Sequence, residues 1–150
     1  MMATAPSVHA GCLILGRAGI LIRGPSGAGK SRLMLDLLDD LSTAGGFGRL
    51  VADDRVHLAA HHGRLVAYAP DNLRGRIEAR GYEVVTLPHA ASAVIRLVVD
   101  LIPQAQMPRI PDENAAFIRL LEVDMPFLQA SPEAARRLIP VILATHSYTQ

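Results

Sequence analysis

Gly24-Pro25-Ser26-Gly27-Ala28-Gly29-Lys30-Ser31 is a full match to G-x-x-x-x-G-K-[ST], the pattern of a loop that wraps phosphate groups. Its flanks suit the motif. Gly19-Ile20-Leu21-Ile22-Arg23 ahead of it is an apolar run of strand type, and behind it Leu33, Met34, Leu37, Leu38 and Leu41 fall on one face of a helix. The three glycines let the backbone turn tightly, so that consecutive N–H groups point inward at an anion. The helix start adds unpaired donors and the positive end of its dipole. Lys30 supplies a point charge for β- and γ-phosphates, and the Ser31 hydroxyl can ligate Mg²⁺. The stretch from Gly24 through Pro25, Ser26, Gly27, Ala28 and Gly29 to Ser31 is therefore expected to bind a nucleotide or another polyphosphate.

The rest of the composition sets bounds on what surrounds that loop. A chain of 150 residues is expected to form one domain and to bury about two-thirds of its unfolded surface. Half the residues are hydrophobic but only 4% are aromatic, so the core must come from Leu, Val, Ile and Ala. Fifteen basic residues against 14 acidic ones leave a formal charge of +1, which indicates neither a nucleic-acid surface nor a polybasic membrane contact. Cys12, the one cysteine, cannot form an internal disulfide; it reads as a small buried hydrophobe, and the reducing cytoplasm is the expected compartment. No apolar run approaches the ~18 residues of a membrane helix, and no basic start followed by an unbroken apolar segment suggests a secretory signal.

Taken in order, residues 1–7 read as a loose end. Cys12 to Leu15 and Ile20 to Arg23 form a hairpin around a four-residue turn, Gly16 to Gly19, and the second arm feeds the phosphate loop. The following helix spans Lys30 to about Thr43 and stops at Gly45-Gly46. Arg49 to Ala52 is a short strand ending at Asp53-Asp54. Arg55 to Ala60 and Arg64 to Ala69 flank His61-His62-Gly63 as a second hairpin. A sheet of alternating strands and helices would place a crossover helix there, so the turn back argues for a mixed or largely antiparallel sheet. Pro70 opens a short helix through about Ala79; Tyr82 to Leu87 and Ala93 to Leu101 read as strands. Residues 102–114, crowded with prolines, form a loop. Phe117 to Met125 leans to strand. Ser131-Pro132-Glu133 starts a helix whose apolar side is Leu138, Ile139, Ile142 and Leu143, and Pro140 should kink or divide it.

Asp53-Asp54 lies at a strand end about twenty residues past the phosphate loop. Phosphoryl transfer needs a metal held near the phosphates and a base for the attacking hydroxyl, and two adjacent carboxylates could meet both needs. Aspartates are equally at home in a plain turn. His57, His61 and His62 read either as a metal cluster or as the solvated tip of a hairpin, and no cysteine or carboxylate stands at a spacing that favours metal. Arg136-Arg137 reads as a solvated helix face or a contact for an acidic patch.

The combination of G-x-S-G-x-G-K-S, the strand Leu50-Val51-Ala52-Asp53-Asp54-Arg55-Val56 and Ile77-Glu78-Ala79-Arg80-Gly81 (an E-x-R-G signature) resembles HPr kinase/phosphorylase, from Val8 to about Pro126. The resemblance implies an α/β fold of α+β character: a single P-loop kinase domain of HPr kinase and PEP carboxykinase-like type over 1–150, with a mixed or antiparallel sheet and flanking helices. It implies an ATP- and Mg²⁺-dependent kinase of a serine on the phosphocarrier protein HPr, in the form of the catalytic domain alone, and a possible homo-oligomer, since family members tend to be hexamers. Residue by residue, it implies that His9 is an active-site histidine and that Lys30 holds the transferred phosphate. Ser31 and Glu78 would ligate Mg²⁺. Asp54 would be the base, Asp53 a support for it and for the metal shell, and Arg109 a catalytic arginine in a proline-bounded loop. The glycine-rich continuation after Arg80-Gly81 is replaced by Tyr82-Glu83-Val84-Val85, and the proline-glycine-arginine stretch tied to dephosphorylation has no counterpart in 127–137, so the kinase direction is the one expected. A small-molecule kinase on the same loop, or a nucleotide-binding regulator without transfer activity, are the alternative readings.

Overall fold

Alternation in the apolar runs builds a sheet that is buried on both faces. The computed structural model describes residues 7–70, 76–79, 83–107 and 117–145, with backbone alone over 76–79 and 83–86. Its strands are β1 (Ser7–Val8), β2 (Ala10–Leu15), β3 (Ala18–Arg23), β4 (Gly48–Ala52), β5 (Val56–His61), β6 (Arg64–Tyr68), β7 (Arg76–Ala79), β8 (Glu83–Thr86), β9 (Ser92–Leu101), β10 (Phe117–Leu120) and β11 (Val123–Ala130). The helices are α1 (Lys30–Thr43) and α2 (Pro132–Thr145), and Gln104–Gln106 forms a 3₁₀ turn.

Nine strands make one sheet in the order β1-β5-β6-β9-β3-β2-β4, with β11 added on β9 and β10 on β11. β3 and β11 run parallel to β9, while the other ladders are antiparallel, so the sheet is mixed as expected. β9 is long enough to hold two neighbours on one edge. Ser92 to Val94 pair with β6, Val98 to Leu101 pair with β11, and the sheet forks between them.

One face carries Leu13, Ile20, Ile22, Leu97 and Val99 against Leu33, Met34 and Leu37 of α1 and Ala135 and Ile139 of α2. The other carries Cys12, Leu21 and Val98, which the curling sheet covers with Val56, Leu58, Leu65 and Met125. Burial keeps the Cys12 thiol protonated by pushing its pKa far up. Two bulges adjust this alternation. Gly19 pairs with Ile95 but Ile20 with Leu97, so Ile95 and Val98, three apart, share a face. In β4 the register skips Val51, just before Asp53-Asp54, a place where a bulge can re-aim the residues that follow.

Several boundaries differ from the sequence reading, each for a local reason. The first hairpin turns on two residues: Leu15 pairs with Ala18, and Gly16 takes φ +66, as a tight primed turn requires. Arg76–Ala79 is a strand instead of the end of a helix, paired antiparallel with Glu83–Thr86. A single Leu73/Ile77 spacing is a weak helical signal, and the β-branched run Val84-Val85-Thr86 offers a ladder that outweighs it. Residues 71–75 lie outside the described set. The segment leaning to strand is a hairpin, β10 and β11, turning on Leu121 and Glu122 at φ +47 and +66. Pro140 does not divide α2, which continues from Pro132 to Thr145. The carbonyl deprived of its donor is that of Arg136, and both Arg136 and Pro140 are exposed, so water can serve it. No described helix is long and apolar enough to cross a membrane.

Candidate active site

The phosphate loop leaves β3 and enters α1 between two supports. A Cβ on Gly24 would lie 3.4 Å from Leu101 Cβ at the end of β9, and one on Gly29 would lie 3.2 Å from Pro132 Cγ at the start of α2. Gly29 has φ +99 and stands at the N-cap of α1, so no side chain caps this helix, and its first turn holds no acidic residue. The first N–H groups and the positive end of the dipole are thus left open to an anion. Gly27, at φ +82, has open space where its side chain would be. Ala28 N–H closes the loop on Pro25 O at 3.0 Å.

Lys30 is 6% exposed, and its Nζ donates to Gly24 O at 2.7 Å and Pro25 O at 3.1 Å. The ammonium is thereby held against the loop it serves. Ser31 Oγ donates to Asp53 Oδ1 at 2.7 Å, which joins the motif to the end of β4. A hydroxyl and a carboxylate side by side are the hard oxygen donors that Mg²⁺ takes, so the residues present fit this ion. Asp54 adopts φ +73, and Arg55 N–H bonds back to Asp53 O at 2.9 Å. Together these make a γ-turn of the rare positive-φ kind centred on Asp54, strain of the sort found at functional sites. The turn presents the Asp54 carboxylate outward, where Oδ1 meets His9 Nε2 at 2.7 Å. His9 sits between β1 and β2, placed by the pairing of Ser7 and Val8 with His57 and Val56.

Ser26, Gly27, Gly29, Lys30, Ser31, Arg32, Asp53 and Asp54 line one cleft of about 380 Å³. The structure thus brings the loop and both aspartates around one space, with His9 attached through Asp54. Glu78 lies on β7, which runs beside α1; the position of its side chain is not described. Arg109 lies outside the described residues. Arg32 was not singled out by the motif. Its cationic side chain in the first turn opposes the helix dipole, and that mismatch is the signal that could have found it. Arg23, one residue before the loop, makes a bidentate pair with Asp100 at 2.6 and 2.8 Å, fastening β3 to β9 beside the site.

The remaining candidates fall elsewhere. His57 stacks on Tyr68 with 5.2 Å between ring centres, and His61 meets His62 edge-on at the hairpin tip. Among the described residues no group of three metal-ligating side chains occurs. Arg136 meets an acidic patch of its own chain: it grips Asp40 at 2.7 and 2.8 Å and approaches Asp36, clamping α2 to α1. Its guanidinium holds the Asp40 carboxyl below the usual range through that hydrogen bond.

Gly29→Ala is expected to cost more than about 1 kcal/mol of stability, since the new Cβ meets Pro132 and the left-handed backbone is unfavourable for alanine. Urea denaturation of the two proteins measures the difference, and equal midpoints would show that the loop relaxes freely there.

The family model for the HPr serine kinase C-terminal domain matches residues 1–147. HPr kinase/phosphorylase of Geobacillus kaustophilus is 30% identical over 94% of this chain and 47% of its own. That of Halalkalibacterium halodurans is 31% identical over the same shares. The chain therefore spans about half the length of the curated relatives it matches. The solved Hpr(Ser) kinase/phosphatase of Coxiella burnetii superposes with a TM-score of 0.78 at 24% identity, covering 94% of this chain and 95% of that one, a likeness of fold.

Proposed function

The chain belongs to the HPr serine kinase C-terminal domain family, and from that premise we propose that its cleft transfers the γ-phosphoryl group of ATP to a serine of HPr. The observation that carries the proposal is the convergence of an uncapped helix start, Lys30 and the Asp54–His9 pair around one cleft. Lys30 and the open N–H groups bind the phosphates and hold the transferred group in place. Ser31, with Asp53 against its hydroxyl, would hold Mg²⁺, and Glu78 is proposed as the second protein ligand. Held there, the ion would supply neutralisation of the phosphate charge. Asp54 accepts the proton of the attacking serine hydroxyl, with His9 orienting the carboxylate. Arg109 is assigned the role of the catalytic arginine, whose charge would offset that of the transferring group. A reaction between ATP and a phosphocarrier protein places the enzyme in the cytoplasm.

The readings of a small-molecule kinase and of a non-catalytic regulator part company with this one in a single assay. ADP release is followed with Mg²⁺-ATP alone and after addition of HPr. The proposal expects ADP to appear in step with HPr added. ADP released equally without HPr, or not at all with it, would overturn the proposal.

For the metal ligand on β7, Glu78→Gln is expected to raise the Mg²⁺ concentration needed for half-maximal rate by about tenfold, the lower end of what a lost contact at a metal site costs. An unchanged Mg²⁺ titration would make Glu78 a residue of the β7–β8 hairpin and nothing more.

A further inference from the structure

We infer that Ser131 is a positioning residue for the phosphate loop, acting through Pro132 on Gly29; the inference rests on the phosphate-loop reading above. Ser131 joins β11 to α2 and is 1% exposed. Its polar atoms are all engaged. Oγ donates to Gln104 Oε1 at 2.6 Å and accepts the Ala134 N–H at 3.3 Å, which caps α2. The Ser131 N–H points at Met107 Sδ at 3.2 Å, and its carbonyl accepts the Ala135 N–H at 2.8 Å. Just before it, Ala130 O takes the Ile102 N–H at 3.0 Å, tying the ends of β9 and β11 together. A buried residue held from so many directions cannot shift without breaking several bonds at once.

The next residue inherits that fixity. Pro132 has a locked φ, and its ring forms the wall behind Gly29, with Cγ 3.2 Å from where a Cβ on Gly29 would stand. Gly29 is the joint of the loop: it carries φ +99 and directly precedes Lys30 and Ser31. Glycine has the widest conformational choice of any residue, so this joint is where the empty loop can wander. A wall against it selects the conformation that aims the N–H groups and Lys30 at the phosphates. Affinity then gains from order established before the ligand arrives. The corner needs both the hydroxyl cap and the bond to Gln104, because the first sets the direction of α2 and the second sets its depth against β9.

The test uses the whole chain with Mg²⁺ and the nonhydrolysable analogue AMP-PNP, measured by calorimetry, together with amide hydrogen exchange over residues 29–31. Ser131→Ala is expected to bind the analogue about fivefold more weakly, the size of a lost helix cap, with faster exchange at 29–31. Ile139→Val serves as the comparison, since it trims the buried face of α2 without touching the corner; it should bind as the parent does. Gln104→Leu keeps the cap and removes its anchor, so it carries the test if Ser131→Ala does not fold, with the same direction and a smaller change. Unaltered affinity and exchange in Ser131→Ala, or an equal loss in Ile139→Val, would overturn the inference and leave Ser131 a stabilising cap. Parent protein that binds no AMP-PNP, or binds it independently of Lys30, refutes the phosphate-loop reading instead, and exchange at 29–31 still decides whether the corner holds the loop.

Discussion

Lys30→Ala is expected to slow ATP-dependent phosphorylation by a factor on the order of 10²–10³, the cost of removing one preorganised charge from a transition state. The position of Nζ sets the size of the effect. It is nearly buried and donates to the carbonyls of Gly24 and Pro25, so the ammonium stays with the loop before any ligand enters. Little reorganisation is then needed when phosphate charge develops beside it. Alanine removes the charge and leaves the Gly24 and Pro25 carbonyls without the donor that Nζ supplied. Because those carbonyls lose their donor, the loop itself could loosen; a thermal melt of the variant separates that effect from chemistry. Initial rates with saturating ATP measure the outcome. Near-normal turnover in a well-folded Lys30→Ala protein would remove the loop from the mechanism.

Asp54→Asn is the second large effect, at least about 100-fold in rate, the usual scale of a general base. The substitution is structurally mild for a reason visible in the backbone. Asp54 lies at φ +73, a region that Asn tolerates as well as Asp, so the γ-turn survives. Size and polarity are kept, and the contact to His9 can persist as a neutral hydrogen bond. What the amide cannot do is take a proton from the serine hydroxyl. Lys30, Ser31 and Asp53 remain in place, so ATP should bind with nearly native affinity. A parallel loss of ATP binding would assign Asp54 to the metal, and an unaffected rate would move the base to Asp53.

The phosphate loop was legible because its chemistry is local. Eight consecutive residues specify the turn, the charge and the hydroxyl, and the strand and helix on either side follow from plain periodicity. The mixed sheet was legible from the hairpin at His61-His62-Gly63, whose last two residues take φ +52 and +75 as a tight primed turn demands. Asp53 and Asp54 were legible as a candidate pair, and the resemblance implied their roles, whereas the neighbour that each one contacts was not legible. Only the three-dimensional pairing puts Ser31 on Asp53 and His9 on Asp54. The γ-turn that separates the two carboxylates leaves no mark in the sequence beyond a residue type that tolerates it. β7 was missed because four residues with a single β-branched side chain carry almost no periodic signal, and their partner strand decides them. For Arg136 the choice between a solvated face and an acidic contact stayed open because its acidic partners, Asp36 and Asp40, lie almost a hundred positions away on the other helix. The walls behind the loop, Leu101 and Pro132, were equally hidden, since nothing in a leucine or a proline says which glycine it will face.

The most direct measurement locates the phosphate. HPr is incubated with the chain, Mg²⁺ and ATP labelled in its γ-phosphoryl group, and the labelled peptides are sequenced by mass spectrometry. The account predicts one labelled serine on HPr, absent when EDTA is added and absent in Asp54→Asn. Label that stays on ATP, or that appears on HPr histidine or on the chain itself without reaching an HPr serine, would contradict it.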